Sequence, residues 1–236
     1  MAKYTLDQLA HMIDHANLKA DVKASDLEKL CEEAKQYHFA MVAINQIQSP
    51  ICAKLLAGTD IKVGAAIAFP FGQTSIEAKV FETDNALSIG ASEIDYVIHI
   101  GKACEGDWDY IKREMLAVVE VCRKYNVISK VIFENCYLTE DQKIKLCEIA
   151  SEVKPDFIKT STGAASGGAT LADVKLMRKY VSDDVQVKAS GGIRTADEFL
   201  DMIRNGVTRI GSSSGIAIIE EIKERFFTNG EMYLEL

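Results

Sequence analysis

Charged side chains interrupt several segments whose composition is otherwise typical of buried β-strands. A charge in a protein core is costly unless it is paired, so such residues are tolerated on different strands only where they meet. A frayed strand end explains any one of them, but explains the whole set poorly. We therefore expect convergence on one functional site of the following residues: Asp14 in MIDHANL, Asp95 in EIDYVIHI, Lys130 and Glu134 in KVIFE, Lys159 in FIKTST and Lys188 in VQVKAS.

Two lysines and an aspartate in such a site would support imine chemistry on a carbonyl compound. A lysine amine is nucleophilic only when it is neutral, and its unperturbed pKa is about 10.4. A dry pocket and a neighbouring ammonium both disfavour the charged form and lower that pKa. A carboxylate nearby can then move protons during loss of water and abstraction of a C–H proton. Lys159, Lys188 and Asp95 are therefore candidate catalytic residues.

The elements that must position these residues alternate between short β-rich runs and longer segments with helical periodicity. The predicted strands are Met12–Asn17, Met41–Asn45, Lys62–Phe69, Glu93–Ile100, Ser129–Glu134, Phe157–Thr162, Gln186–Ser190 and Arg209–Ser213. The predicted helices are Ser25–Tyr37, Pro50–Leu56, Ile76–Ile89, Trp108–Tyr125, Glu140–Val153, Ala172–Tyr180, Ala196–Asn205 and Ile216–Phe227, after a short amphipathic N-terminal helix. Ser25, Thr139 and Thr195 are the predicted helix start signals.

Alternating strands and helices favour parallel pairing with crossover helices. Eight repeats predict an α/β fold that closes into a TIM (β/α)8 barrel, and an open doubly wound sheet is the alternative. Such a barrel commonly has roughly 250 residues, so a chain of 236 without a linker predicts a single domain over residues 1–236. The active site of a barrel lies at the C-terminal ends of its strands.

Side-chain alternation along the predicted strands refines the site. Asp95 and His99 share a face, so His99 is predicted to point inward, nearer the barrel mouth. Two roles for His99 stay open, a structural hydrogen bond to a neighbouring strand end and a substrate contact or proton shuttle.

Glycine and serine residues at the last two strand ends predict a phosphate site. Ser190-Gly191-Gly192 closes the seventh strand, and Gly211-Ser212-Ser213-Ser214-Gly215 opens the last helix. Loops in these positions, with a helix N-terminus, bind phosphate in this fold through backbone N–H groups. Gly163 follows the sixth strand and is expected to contribute, although tight turns need glycine too.

Composition excludes several classes of function. The net charge is −8 and the pI about 5.1, which argues against nucleic acid as a partner. No long apolar run predicts a membrane span, and the first residues are not typical of a signal peptide. Six scattered cysteines indicate reduced thiols in a cytoplasmic protein. His11, His15 and His38 form no recognisable ligand set, so we predict no metal site.

The motifs taken together resemble the deoxyribose-phosphate aldolase family over essentially the whole chain. They are, in order, IDHANLK (13–19), AFPFG (68–72), EIDYVIHIG (93–101), DFIKTSTG (156–163), VKASGGIRT (187–195) and RIGSSSG (209–215). The resemblance implies reversible cleavage of 2-deoxy-D-ribose 5-phosphate to acetaldehyde and D-glyceraldehyde 3-phosphate. No metal or other cofactor is implied, because an iminium accepts the electron pair.

The resemblance also implies roles for individual residues. Lys159 is similar to the lysine that forms the imine, Lys188 to the second lysine that tunes it, and Asp95 to the aspartate of the proton relay. Asp14 is similar to the aspartate that supports the second lysine. The phosphate-binding segments are matched by Gly163, Gly191, Gly192, Gly211, Ser213 and Ser214. A homodimer is expected, with small aldehydes and sugar phosphates as the partners.

Four positions depart from the common family pattern. They are Asn17 with its neighbour Ala16, Ala43, His99, and Ala164 with the two residues after it. We expect Asn17, Ala43, His99 and Lys130 near the pocket, where divergence or engineering would alter the choice of aldehyde. A different Schiff-base aldolase and a non-catalytic sugar-phosphate-binding barrel are the alternative functions. Tyr233, in the C-terminal tail, is a further candidate for reaching the phosphate pocket.

Overall fold

The computed structural model describes residues 2–228 and 231–236, and its centre is a closed barrel of eight parallel strands, β2 to β9 in sequence order. A two-stranded antiparallel sheet pairs β1 with β10. The strands are β1 (Lys3–Tyr4), β2 (Ile13–Ala16), β3 (Met41–Asn45), β4 (Lys62–Ile67), β5 (Glu93–Val97), β6 (Ile128–Ile132), β7 (Phe157–Lys159), β8 (Gln186–Ser190), β9 (Val207–Ser212) and β10 (Leu234–Glu235).

Helices follow each barrel strand and confirm the predicted TIM barrel. They are α1 (Leu6–Ala10), α2 (Ala24–Tyr37), α3 (Ser49–Leu55), α4 (Ile76–Ser88), α5 (Ile100–Glu105), α6 (Trp108–Tyr125), α7 (Glu140–Val153), α8 (Leu171–Tyr180), α9 (Ala196–Arg204) and α10 (Gly215–Phe226). Within the described residues, none of the helices combines the length and apolar character needed to cross a membrane. The single-domain interpretation of residues 1–236 stays a prediction.

The hydrophobic core lies between the barrel wall and the surrounding helices. Outward-facing strand residues such as Ile44, Ile94 and Val131 belong to one continuous buried cluster with helix residues such as Leu30 and Val118. The inward face of the barrel carries polar and charged residues, which places the chemistry inside a rigid apolar shell. Alternation along each strand therefore separates packing from function.

Several predicted boundaries were too long at the C-terminal ends of strands. The strand β5 ends at Val97, because the short helix α5 begins at Ile100. His99 is the N-cap of α5, and its Nδ1 atom accepts a hydrogen bond from the backbone N–H of Lys102 over 3.3 Å. Residues in such loops have strand-like composition, but their backbones have left the sheet.

Helix start signals were predicted correctly at two of three positions. Thr139 and Thr195 cap α7 and α9, each with a reciprocal bond from the residue three positions on. Ser25 was wrong, because α2 starts one residue earlier and Lys23 is its N-cap. There the carboxylate of Asp26, in the first turn, accepts the backbone N–H of Lys23 over 2.8 Å, and the N-cap side chain accepts no hydrogen bond from the described residues.

A buried ion pair fixes the end of β5, the strand that carries Asp95. The ammonium of Lys79 lies 2.6 Å from a carboxylate oxygen of Glu114, and both side chains are fully buried. Lys79 also donates to the carbonyl of Val97 over 2.7 Å, and Glu114 accepts the N–H of His99 over 3.0 Å. Burial lowers the pKa of Lys79 and raises that of Glu114, while their attraction opposes both shifts. The pair ties α4 and α6 to the backbone just beyond β5.

The C-terminal tail lies against the N-terminus. Backbone bonds join Ala2 and Leu236 in both directions over 3.0 Å, at one end of the β1–β10 pair. Tyr233 is half-exposed and does not line the cavity at the barrel mouth in this structure. The expectation that Tyr233 reaches the phosphate pocket is therefore not met, because strand pairing holds the tail beside β1.

Lys79→Met should destabilise the protein by about 3 kcal/mol, since it leaves the Glu114 carboxyl buried without its cation. Urea unfolding followed by circular dichroism measures the loss. The double variant Lys79→Met/Glu114→Gln should recover part of it, because no buried charge remains. Equal stability of wild type and Lys79→Met would show that the pair does not hold the strand end.

Candidate active site

Six charged side chains form a closed ring of ion pairs inside the barrel. Going around the ring, cations and carboxylates alternate, and each cation contacts two carboxylates. The ring comprises Asp95, Lys130, Glu93, Arg209, Asp14 and Lys188. Five of these side chains are at most 5% exposed, and Arg209 is 12% exposed. Because three cations balance three carboxylates, the ring is neutral as a whole and its burial is tolerated.

Lys159 is the seventh charged group, and it is attached to this ion-pair ring at one point. Its Nζ atom lies 2.6 Å from Oδ2 of Asp95, and Lys188 donates to the same oxygen, also over 2.6 Å. The other oxygen of Asp95 accepts from Lys130 over 2.8 Å. One carboxylate therefore serves three ammonium groups, and Lys159 has the least compensation among them.

The pKa of Lys159 follows from this shortage of carboxylates. Burial lowers the pKa to about 8, Asp95 opposes that shift, and the ammonium groups of Lys188 and Lys130 add to it. A substantial fraction of Lys159 is thus neutral and nucleophilic near physiological pH.

The carboxylates of the ring stay ionised despite their burial. Desolvation alone would raise the pKa of Asp95, but Lys130, Lys159 and Lys188 together hold it well below its usual range. The pKa of Asp14 is also lowered, since Arg209 and Lys188 outweigh its desolvation. Asp95 can therefore accept a proton only when the lysine charges around it change.

A cavity of about 380 Å³ opens above this charged floor at the C-terminal ends of the strands. We call it the barrel-mouth cavity. Lys159 and Lys188 reach its bottom, while glycine- and serine-rich loops form its upper wall. It is lined by Ala16–Lys19, Ala43, Phe69, Lys159, Thr162–Ala164, Lys188, Ser190–Arg194 and Gly211–Ser214.

Close backbone packing shapes the glycine-rich wall. A Cβ atom at Gly168 would lie 2.2 Å from the carbonyl oxygen of Gly191, so only glycine fits there. The backbone N–H of Ala169 donates to the carbonyls of Ser190 and Gly191, both over 3.0 Å. The loop after β7 and the loop after β8 are thus joined directly, which fixes the N–H groups that face the cavity.

Glu134 anchors the segment after Lys159. It is fully buried and adopts a left-handed backbone, with φ of 57°. Its carboxylate accepts the backbone N–H of Thr162 over 3.1 Å and also the Thr162 hydroxyl, while its other oxygen has no hydrogen-bond partner among the described residues. Burial raises the pKa of Glu134, and the two bonds from Thr162 oppose that shift. Thr162 lines the cavity and is held by Glu134. Glu134 therefore fixes the position of one cavity wall, although it does not line the cavity itself.

The structure brings together most of the residues that the sequence predicted. Lys159, Lys188, Asn17 and Ala43 line the barrel-mouth cavity, together with Gly163, Gly191, Gly192, Gly211, Ser213 and Ser214. Asp95 and Asp14 lie in the ring beneath, where they hold the two lysines without facing the cavity.

Two predicted pocket residues lie elsewhere. Lys130 is fully buried in the ion-pair ring, below the cavity. His99 faces a separate groove with Phe71, Gln73 and Tyr137, because the strand that would have turned it inward ends at Val97. His99 has a structural role, but its bond is to the backbone of Lys102 in its own helix α5 and not to a neighbouring strand end as predicted.

Sequence reasoning missed four charged residues that belong to the site. Glu93 and Arg209 complete the ring, and Lys19 and Arg194 line the cavity. Glu93 stands two residues before Asp95, so the alternation that selected Asp95 could also have selected it. Lys19 and Arg194 lie in loops, where no periodicity indicates the direction of a side chain.

Comparisons with known proteins agree with this architecture. A model for the DeoC/LacD family of aldolases matches residues 8–221. A deoxyribose-phosphate aldolase from Lactobacillus acidophilus is 59% identical over 223 residues, covering 94% of each chain. One from Bacteroides thetaiotaomicron is 50% identical, covering 95% of this chain and 94% of that one. The solved structure of a tetrameric deoxyribose phosphate aldolase from Aeropyrum pernix is 27% identical, with a TM-score of 0.86 over 93% of this chain and 92% of the other.

Lys188→Met should raise the pH at which Lys159 becomes nucleophilic, because it removes an ammonium that lowers the Lys159 pKa. Wild type should show half-maximal imine trapping near pH 8, with more adduct as the pH rises. Borohydride trapping of an aldehyde across a pH series measures the midpoint. Lys188→Arg keeps the charge and should stay closer to wild type, and an unchanged midpoint in Lys188→Met would contradict the assignment.

Glu134→Gln should reduce kcat/KM by roughly tenfold, about 1.4 kcal/mol, because the amide cannot accept the Thr162 bonds as strongly. Steady-state kinetics and thermal unfolding, measured together, separate a displaced loop from a lost fold. The matched control is Glu140→Gln, at the exposed start of α7, which should leave both quantities unchanged. Full activity of Glu134→Gln would show that the loop position is independent of this carboxylate.

Proposed function

The chain belongs to the DeoC/LacD family of aldolases, and from that membership we propose that it reversibly cleaves 2-deoxy-D-ribose 5-phosphate to acetaldehyde and D-glyceraldehyde 3-phosphate. The names of its relatives support the substrate. The observation that carries the mechanism is the placement of Lys159, which is buried, lines the cavity and has a pKa near 8. These properties match a lysine that forms a Schiff base.

In the cleavage direction, the neutral amine of Lys159 attacks C1 of the open-chain sugar. The carbinolamine loses water and becomes an iminium, whose positive nitrogen accepts the electrons of the C2–C3 bond as that bond breaks. The C3 hydroxyl gives up its proton and becomes the aldehyde of glyceraldehyde 3-phosphate. The remaining enamine is protonated at C2, and hydrolysis then releases acetaldehyde and restores the amine.

Asp95 and Lys188 are placed to manage the protons of this cycle. The Oδ2 atom of Asp95 accepts hydrogen bonds from both Lys159 and Lys188, so Asp95 and Lys188 lie close to the reacting nitrogen. Conversion of the Lys159 ammonium to the iminium leaves one N–H donor in place of three, so Asp95 is bound less tightly by this nitrogen and gains basicity. It can then receive a proton from a bound water or from the donor carbon, while Lys188 keeps the local charge positive.

The phosphate group is assigned to the upper wall of the barrel-mouth cavity. The loops after β8 and β9 meet there with the N-terminus of α10, which presents backbone N–H groups and a partial positive charge. Lys19 and Arg194 line the same cavity and supply full positive charges.

We propose that the departures from the common family pattern broaden the range of acceptor aldehydes. Asn17, Ala43 and Ala164 all line the cavity, and two of them are small. A cavity walled by alanine leaves room for aldehydes bulkier than glyceraldehyde 3-phosphate. An aldolase with broadened acceptor specificity is therefore the second candidate function, on the same chemistry.

Location and assembly remain proposals of the same kind. The six cysteines are free thiols in the structure, which is typical of a reducing, cytoplasmic setting. The homodimer expected from the resemblance stays a prediction, since the Aeropyrum pernix relative is described as tetrameric. Light scattering on the purified protein measures the number of chains.

Incubation with acetaldehyde followed by borohydride should leave an ethyl group on Lys159, located by mass spectrometry. Lys159→Ala should give no specific adduct and should lose measurable cleavage of deoxyribose 5-phosphate. Lys175→Ala, on the surface helix α8, is the matched control and should behave as wild type. Binding of the sugar phosphate without an adduct would favour the non-catalytic barrel instead.

Arg194→Gln should raise the KM for deoxyribose 5-phosphate by about tenfold, with little change in kcat, because it removes a charge from the phosphate wall. The same variant should handle unphosphorylated 2-deoxyribose as wild type does. Kinetics on both sugars measure the difference. An equal loss on the two substrates would place Arg194 outside the phosphate site.

A further inference from the structure

The face of the barrel opposite the cavity carries a cluster of histidine and aspartate side chains. His11 precedes β2, His38 precedes β3 and Asp60 precedes β4, so all three lie at the N-terminal ends of neighbouring strands. One ligand atom from each residue lies within 4.8 Å of the other two. Nothing in the sequence indicated that His11 and His38 lie together. His11 and His38 are 27 positions apart in the sequence, and His38 and Asp60 are 22 positions apart. They meet because successive strand–helix units of the barrel bring equivalent turns side by side.

From this arrangement we propose that His11, His38 and Asp60 bind one divalent zinc ion, which joins the first three barrel units on the face remote from the active site.

The hydrogen bonds around the two histidines fix the tautomers that zinc binding would use. His11 Nδ1 lies 3.1 Å from the carbonyl oxygen of His38, and only a protonated nitrogen can donate to a carbonyl. The lone pair of His11 is therefore on Nε2. His38 Nδ1 lies 2.7 Å from a carboxylate oxygen of Asp7, which holds that nitrogen as the donor and directs Nε2 toward Asp60. Carboxylate and carbonyl partners of this kind orient histidine ligands in zinc sites.

The spacing of the ligand atoms fits one small cation after modest rotation. Zinc lies about 2.1 Å from nitrogen and oxygen ligands, so two ligands of a tetrahedral ion are about 3.4 Å apart. The distance from His38 Nε2 to Asp60 Oδ2 is 3.0 Å, slightly shorter than that separation. The side chain of Asp60 is 63% exposed, so it can turn if its bond to His38 is broken, and the His11 and His38 rings are direct neighbours.

The chemistry of the ligands selects the metal. Two imidazoles and one carboxylate are borderline ligands that favour zinc over magnesium or calcium, which prefer oxygen alone. In the metal-free protein a proton on His38 Nε2 bridges to Asp60, and a zinc ion replaces that proton. Water completes the coordination, since His38 and Asp60 are both accessible. The expected consequence is stabilisation of the turns that precede β2, β3 and β4, with no part in the aldol chemistry.

Calorimetric titration of the reduced, metal-free, full-length protein with zinc sulfate tests the site. We expect one ion per chain and at least about tenfold weaker binding in His38→Gln and Asp60→Asn. Asp7→Asn, which removes only the orienting carboxylate, should also weaken binding by about tenfold. The control is Cys104→Ser/Cys136→Ser, which removes the two exposed thiols and should bind zinc as wild type does.

Two further measurements keep the test decisive if a histidine variant folds poorly. Zinc should raise the thermal unfolding midpoint of wild type but not of Asp60→Asn, an exposed substitution. Aldolase activity serves as the folding control and should be unchanged in Asp60→Asn and Asp7→Asn. Zinc binding that is unaltered in His38→Gln and Asp60→Asn, or no saturable binding up to millimolar zinc, would overturn the proposal and leave an ion-pair cluster bridged by protons. Failure of the aldolase assignment would not affect this result, because the site is on the other face.

Discussion

The carboxylate of Asp95 is the interaction on which the active site depends. It accepts hydrogen bonds from three lysine ammonium groups, and its pKa is held well below its usual range by their charges. Without Asp95, three like charges would lie together in a buried space. With it, two of the lysines are further compensated by Glu93 and Asp14, whereas Lys159 is left with a single partner. This distribution of carboxylates leaves Lys159 as the least compensated of the three lysines, and its amine is therefore the most easily deprotonated.

The barrel makes this arrangement possible because its strands are parallel and closed. Parallel pairing places Asp95 beside Lys130, and Lys159 beside Lys188, on neighbouring strands. The apolar core lies outside the strands, so the interior can be given to charges without loss of the packing that supports the fold. Lys79 and Glu114 then fix the end of the strand that carries Asp95. The position of the Lys159 nitrogen therefore depends in part on the Lys79–Glu114 pair, which lies outside the active site.

The residues proposed for catalysis lie toward one face of the barrel, and the contacts between the chain termini lie on the other face. The C-terminal face combines the lysines with glycine-rich loops and two cationic side chains in one cavity. The N-terminal face gathers the paired termini and the histidine cluster. Asn17, Ala43 and Ala164 line the cavity on the first face and take no part in the ring of ion pairs beneath it. Selectivity and reactivity are thus carried by different layers of the same strands.

The sequence by itself determined the barrel and most of its site. Alternating strands and helices gave the fold, and the strands β3 and β8 and the helices α6 and α7 have the predicted bounds. Lys159, Lys188 and Asp95 could be selected because a charge is conspicuous in a strand that is otherwise apolar. These inferences succeed because periodicity and burial cost are local properties that the chain displays directly.

Only the tertiary structure decided which charges meet and which leave the site. Glu93 and Arg209 close the ring across the barrel, and their sequence separation of more than a hundred residues hides that contact. His99 left the predicted face because the backbone ended its strand at Val97, and the tail of Tyr233 was held by pairing with β1. His11, His38 and Asp60 came together through the repeat of the barrel units. Strand ends, loops and termini have no periodicity that fixes a side-chain direction, so their contacts depend on the packed fold as a whole.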